Sequence, residues 1–317
     1  MTGDTRKYPK GTPRKHHFVP RGYLAGFCAE GAERFALFDR ARVAYRDRQQ
    51  PAEVANIKDY YAYDMGGGQV HFNVEVALSK LESDALPVIK KIDAGDELTA
   101  EERYVLSLYS AFQHTRTPVF QHTVEGISTH IVKRIAQMMQ APTSAEAAAA
   151  HAPEEQREVT AAQMQDMAEH LKITVNRQAS LQMMLKMAPD IADTLYGIDW
   201  IIARRPDEKT SFITTDSPFC LVPGPGHVQD GFSGIGLKTP GVMKVFPLSQ
   251  SSVLVMTEPG YGMFDKRLTR EEVRQTNEAV ARQCQNFVFG RDMALIKRVV
   301  GDTGIDKAQW RSGWNFD

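Results

Sequence analysis

The chain has 317 residues, 42% hydrophobic and 24% charged, the proportions of a globular protein with enough length to bury a sizeable core. Its formal net charge is −1, which excludes a whole-chain basic footprint for nonspecific nucleic-acid binding, although the first 48 residues are rich in Arg and Lys. Cys28, Cys220 and Cys284 are far apart and form no CxxC pair; this excludes a zinc ribbon, argues against a disulfide framework and fits a reducing, cytoplasmic setting.

No apolar h-region opens the chain, so no secretory signal is expected. Residues 1–14 are polar, carry Gly and Pro, and read as a loose arm. In "KHHFVPRGYLAGF" (15–27), Pro20 suits the first helical position, where its missing N–H is not needed. Tyr23, Leu24 and Phe27 follow at i+3, i+4 and i+7 and predict a short amphipathic helix. "RFALFDRARVAYRDR" (34–48) reads as a hairpin, and "IKDYYAYDMGGG" (57–68) as a strand or loop ending in a turn.

"VEVALSKLESDALPVIKKI" (74–92) carries an apolar stripe at Val74, Leu78, Leu81, Ala85 and Ile89, a helix that Pro87 should bend. Thr99 and Glu102 form a capping-box pattern for a long helix that Pro118 kinks or divides, with apolar periodicity to Met139. Residues 140–156 are Ala/Pro/Glu-biased and read as a linker or insertion. Helical stretches are predicted at about 158–173 and 177–195. Then come short β-type runs: "DWIIARR", "TSFITTD", "VMKVFPLS" and "SSVLVMT". A helix capped by Thr269 with Glu272 follows, and "NFVFG" is the last strand. A mixed start, a helical middle and a β-rich end predict a single α+β domain. No run of about 18 apolar residues occurs, so no membrane span is expected.

Four segments offer chemistry. His16 and His17 sit just before a helix N-terminus, which disfavours imidazolium; a neutral imidazole is the form that ligates metal or accepts a proton. Glu75 and Glu82 are seven apart on one helix, so both border the apolar stripe beside Leu78, and a buried carboxylate needs a partner, a metal or a proton. Tyr109, Phe112, Gln113, Arg116 and Phe120 share a face of the next helix. The Arg116 fork matches a carboxylate or a phosphate. Asp216 follows a strand end in "FITTDSPF", a place for a ligating carboxylate or for an Asx-type turn. Each residue also has a structural reading: a capping histidine, a solvated carboxylate, an Arg116–Glu82 or Arg116–Glu75 salt bridge.

In the order "HHFVPRGYLAGF", "DYYAYD", "VEVALSKLESDALPVI", "SAFQHTRTP", "FITTDSP" and "VFPLSQSS" ahead of "TNEAVARQCQNFVFG", these blocks resemble the bacterial domain-of-unknown-function family 4238. The resemblance covers nearly the whole chain apart from 140–156. It brings no activity, but it implies that His16, His17, Glu82, Gln113, Arg116 and Asp216 belong to recurring blocks.

The leading expectation is a metal-dependent hydrolase acting on a phosphodiester, a nuclease with a toxin or defence role. His16, His17, Glu82 and Asp216 would hold one divalent ion, with Zn, Mn or Fe suiting mixed N/O ligation better than Mg, and the ion would activate a water. Arg116 would hold the phosphate, Gln113 would orient substrate or water, and Glu75 would support the metal. The basic N-terminal segment would guide a nucleic acid or a phosphorylated small molecule. The rival expectation is a non-catalytic binding protein in which Arg116 neutralises Glu82, a histidine bonds Asp216, and the network docks the N-terminal segment on the helices.

Overall fold

The computed structural model describes residues 14–64, 69–139, 177–224, 235–260 and 262–307. In chain order it runs β1 (Lys15–His17), α1 (Arg21–Ala25), β2 (Phe35–Asp39), β3 (Ala44–Gln49), β4 (Asn56–Lys58), β5 (Tyr63–Asp64) and β6 (Val70–His71). Next come α2 (Asn73–Ala94), α3 (Ala100–Thr115), α4 (Pro118–Met139) and α5 (Arg177–Tyr196). The last part holds β7 (Asp199–Arg204), β8 (Thr214–Thr215), β9 (Cys220–Pro223), β10 (Val242–Pro247), β11 (Ser252–Thr257), β12 (Phe264–Arg267), α6 (Arg270–Ala281), β13 (Phe287–Gly290) and α7 (Met293–Thr303). The fold is α+β. None of its described helices is long and apolar enough to cross a membrane.

Two sheets carry the architecture. One has the order β12-β7-β11-β10-β9, antiparallel except where β12 joins β7 in parallel. The other has the order β3-β2-β13-β8, so the predicted β2–β3 hairpin is extended by two strands from the far end of the chain. Side chains alternate across a strand, and here both faces are covered. Phe35 and Leu37 of β2 enter one core with Trp200, Ile202, Phe246 and Leu254 and the helices α1, α2, α3 and α5. Ala36 and Phe38 enter a second core with Val245, Val253, Val288 and the helices α6 and α7. That is why "FALFD" is buried throughout rather than alternating.

Local signals account for most boundaries. Thr99 and Thr269 each accept from the backbone N–H of a Glu three residues on, and each Glu side chain accepts from the threonine N–H in return. Pro118 divides the long helix, leaving Arg116 as the C-cap of α3. Pro20 is the residue before α1 rather than its first helical residue; its carbonyl accepts from Leu24 N–H, so its lack of an N–H still costs nothing there. α2 continues through Pro87 to Ala94. At Gly22 of α1 a Cβ would lie 2.6 Å from Leu86 Cδ1 of α2, so a side chain there would need the tip of Leu86 to turn aside. Tyr23 inserts between the β-sheet segments, its hydroxyl donating to Pro247 O at 2.6 Å and lying 2.8 Å from Thr214 Oγ1.

Five elements are absent from the sequence reading: β1, β6, β9, β12 and α7. β9 and β12 are short and take their structure from neighbours; every residue of β12 is exposed, so no alternation marks it. α7 did leave a signal, with Asp292 as N-cap, Gly304 at φ 65° after its end, and buried Ile296, Val299 and Val300. The expected 140–156 linker, the 158–173 helix, Trp310 and Trp314 lie outside the described residues, as does all of the expected arm except Arg14.

The second core is tied to the sheet by buried Asn277 of α6. Its Oδ1 accepts from Ile213 N–H at 3.0 Å and its amide donates to Ser211 O at 2.9 Å. Asn277→Ala strands both backbone groups, each worth about 1–3 kcal/mol. Urea unfolding should therefore show a loss of about 2–4 kcal/mol, whereas a change below about 0.5 kcal/mol would mean the tie is not structural.

Candidate functional site

The N-terminal blocks are folded onto the helices by one guanidinium. Arg116 has a side chain only 2% exposed. Its Nε donates to Tyr61 Oη at 3.0 Å, one terminal nitrogen to Glu82 Oε1 at 2.8 Å and the other to His17 O at 2.6 Å. Tyr61 Oη also donates to His17 O at 3.3 Å. Four segments thus meet: the end of α3, the face of α2, the loop after β4 and the end of β1. An unpaired buried charge costs several kcal/mol, so these partners fix the geometry. The position helps too, because a cation is favoured at a helix C-terminus.

The two histidines have separate fates. His16 is fully buried. Its Nδ1 accepts from Tyr61 N–H at 2.8 Å, and its ring stacks on Tyr61 and meets Phe72 edge-on. It orders the strand pair β1–β4, where His16 stands opposite Ile57. Two non-glycine residues flank β4 in the left-handed region, Ala55 at φ 51° and Asp59 at φ 56°, a conformation that needs support from its surroundings. Asp59 receives Arg14, and Ala55 O accepts Phe18 N–H at 2.9 Å. His17 is half-buried. Its Nε2 lies 3.2 Å from Ala52 O, and since a carbonyl can only accept, Nε2 carries the hydrogen and Nδ1 the lone pair. Burial holds its pKa below the usual histidine value, partly offset by the Ala52 bond and by Glu82.

Beside this saturated network lies an unsaturated one. Glu75 is half-buried, and its Oε2 is buried with no partner among the described residues. Burial pushes its pKa up to about 7, against the pull of Arg116 and with a further push from Glu82. On α3, Tyr109, Gln113 and Arg116 are spaced four and three apart and share a face. Tyr109 Oη and both Gln113 amide atoms are also buried and unpartnered among the described residues. Tyr109 feels both Glu82 and Arg116, and burial drives its phenol upward. Four buried polar atoms on α2 and α3 therefore have no partner among the described residues, while Glu82, at 22% side-chain exposure, keeps the Arg116–Glu82 pair in reach of solvent.

The structure brings His17, Glu75, Glu82 and Arg116 together; Gln113 is buried one turn before Arg116 on α3. It does not add Asp216 to them. That carboxylate is buried, and its two oxygens accept from Gln285 N–H at 2.9 Å and Asn286 N–H at 2.7 Å. Burial raises its pKa to about 6 despite these bonds. It is thus a connector between β8 and β13, bonded to backbone amides some 70 residues on rather than to a histidine or to its own turn; the turn is closed instead by Thr215 Oγ1, which accepts from Ser217 N–H. Among the described residues no group of three or more His, Cys, Asp or Glu side chains is placed to hold a metal ion, so the four-residue ligand set of His16, His17, Glu82 and Asp216 is not assembled. Arg116 is the internal ion pair of the structural reading, with Glu82 as its partner. Tyr61 and Tyr109 were not among the candidates. For Tyr109 the shared face with Gln113 was the available signal; Tyr61 carries none, because its role depends on a bond to Arg116 across 55 positions.

The chain belongs to the family described as protein of unknown function (DUF4238), whose model matches residues 15–294. No curated protein and no solved structure matches it.

Arg116→Met leaves Glu82 without the guanidinium that pairs with it and takes one donor each from Tyr61 Oη and His17 O, and should lower the unfolding free energy by about 3–5 kcal/mol in urea. Adding Glu82→Gln should restore part of that loss, since the stranded charge is gone; a double variant no more stable than the single would show that the pair is not the source. Glu75 also links stability to pH. The unfolded carboxyl releases its proton near 4.5 and the folded one near 7, so between these values the folded state holds the extra proton and stability falls as pH rises, then levels off. His17 and His114 act oppositely: both are lowered by burial, His114 to about 4 beside Phe120 and Phe219. The comparison is therefore between the native chain and Glu75→Gln. The variant should gain relative stability from pH 5 to 7.5, measured by thermal melts, and parallel curves would count against a raised Glu75.

Proposed function

We propose that this protein is a hydrolase whose reaction centre is the cluster around Glu75, with a phosphate ester as substrate. The observation that carries the reading is the Glu75 carboxyl itself: one oxygen buried without a partner among the described residues and a pKa near neutrality, with Tyr109 Oη and the Gln113 amide, on the helix that supplies Arg116, equally unmatched. A carboxyl poised near 7 can give a proton to a leaving oxygen or take one from an attacking water. Gln113 has both a donor and an acceptor to orient that water or the substrate, and Tyr109 adds a hydroxyl. In this reading Arg116, Glu82 and the His17 carbonyl form the rigid frame that holds Glu75, and His17 Nδ1 is a further acceptor at the edge. A divalent ion and a nucleic-acid substrate belong to the same proposal and are resolved by its test.

A second reading has its own observation. Three nitrogens of Arg116 are already bonded inside the protein, which favours a docking network with no chemistry.

The test is turnover of bis(4-nitrophenyl) phosphate and 4-nitrophenyl phosphate by the full chain, with and without EDTA. Glu75→Gln is expected to lower kcat by about 10²–10⁴ with KM little changed, and to remove an inflection near pH 7 from the rate profile. Activity that persists in EDTA assigns the chemistry to Glu75 alone; activity lost in EDTA and restored by Zn or Mn adds an ion to the carboxyl pair. No turnover of either ester, or Glu75→Gln as active as the native chain, would leave the docking network as the function.

A further inference from the structure

A second feature shares Arg116 but not Glu75. A solvent-open pocket is lined by Arg116 and Tyr61, and by Tyr60, Gln121, Arg177 and Ser180 from the loop after β4, α4 and α5. Two guanidiniums line it and no carboxylate does. The Arg177 guanidinium carbon lies over the Tyr60 ring, 4.5 Å from its centroid, and one terminal nitrogen donates to Tyr60 O at 3.0 Å. Among the described residues no Asp or Glu pairs with Arg177. Stacking and the single carbonyl bond hold the fork in one plane, which is the preorganisation that oxyanion binding needs.

The contrast with the larger cleft of about 560 Å³ between α6 and α7 is instructive. There Arg270 is bonded to Asp207 through two nitrogens, and Arg274 is shared among Glu271, Glu278 and Asp302. Arg270 and Arg274 are thus paired, and two carboxylates, Glu271 and Asp302, line that cleft together with Lys209 and Arg298, whereas no Asp or Glu lines the pocket of Arg177 among the described residues.

We propose that the Arg116–Arg177 pocket is the seat of a terminal phosphoryl group. The recess has room for one water-sized atom, about 10 Å³, so it would take an oxygen tip while the rest of the group stays outside it. Donors arrive from two helices rather than from one fork, and a tetrahedral phosphoryl offers oxygens in more than one plane, whereas a planar carboxylate satisfies one fork. Tyr61 and Arg116 belong both to this pocket and to the frame around Glu75. As the seat of a substrate group, the inference rests on the hydrolase reading; as a binding site, it stands by itself.

The experiment is isothermal titration of the full chain with phenyl phosphate, and with benzoate as the planar control. Phenyl phosphate is expected to bind saturably, and benzoate at least tenfold more weakly. Arg177→Ala should weaken phenyl phosphate at least tenfold without changing the melting temperature by more than a few degrees. Should that variant fail to fold, Arg177→Lys, which keeps the cation but loses the planar fork, is expected to weaken binding severalfold. Glu75→Gln should leave binding intact, so a loss of turnover in that variant with binding retained separates the two proposals. The assignment is overturned by the absence of saturable binding, by Arg177 variants that bind like the native chain, or by benzoate binding as well as phenyl phosphate.

Discussion

A guanidinium buried to 2% exposure cannot be left to chance, and the N-terminal half of this fold is arranged around satisfying one. Arg116 occupies the C-cap of α3 because Pro118 stops the helix just beyond it. That stop aims the side chain away from the helix path and toward α2, where Glu82 receives it. The two other donors go to a tyrosine hydroxyl and a main-chain carbonyl, partners with no net charge. Ion pairing to Glu82 offsets the charge, and the neutral acceptors complete the fork. The consequence is positional: β1 can dock in one register only, the one that places the carbonyl of His17 against the guanidinium.

That constraint also explains what could be read from the sequence and what could not. Thr99 with Glu102 and Thr269 with Glu272 act within four residues, so their spacing alone announces them, and the structure contains both boxes. The stripe from Val74 to Ile89 obeys the helical period and is buried or partly buried along its length. The face carrying Tyr109, Gln113 and Arg116 was legible for the same reason. The fates of His16 and Asp216 were not. Each gives its lone pairs to backbone N–H groups far away in sequence, Tyr61 for one, Gln285 and Asn286 for the other. Any residue type can supply a backbone amide, so no residue pattern marks such a partner. A motif that reads as a ligand set dissolved into two architectural bonds, and the fourth member, Glu82, went to the arginine. The rival expectation was nearer on Arg116 and Glu82 but equally misplaced on Asp216.

Set against that saturation, the unmatched atoms of Glu75, Tyr109 and Gln113 stand out on energetic grounds. A buried polar atom without a partner costs about 1–3 kcal/mol, and four together would rival the margin of a whole domain. A fold that satisfies Arg116, His16, Asp216 and Asn277 so fully does not lack the means to satisfy three more side chains. Exceptions to local consistency concentrate where a protein uses the groups for something other than stability. This is the argument for placing chemistry at Glu75 rather than at the histidines, although the histidines are the more conspicuous feature of the sequence.

Rigidity connects the two halves of the argument. Glu75 gains its unusual proton affinity from burial, with Arg116 and Glu82 acting on it in opposite directions. If Arg116 swung freely, that balance would shift with every rotamer, and a carboxyl tuned near neutrality would lose its tuning. Three fixed bonds prevent this. They also hold the remaining edge of the guanidinium and the Tyr61 ring as a common wall toward Arg177. An interaction that began as compensation for burying a charge thus sets a carboxyl on one side and a cationic recess on the other at a constant separation. Holding reacting groups at fixed separation is the most productive thing a scaffold can do for a hydrolytic step.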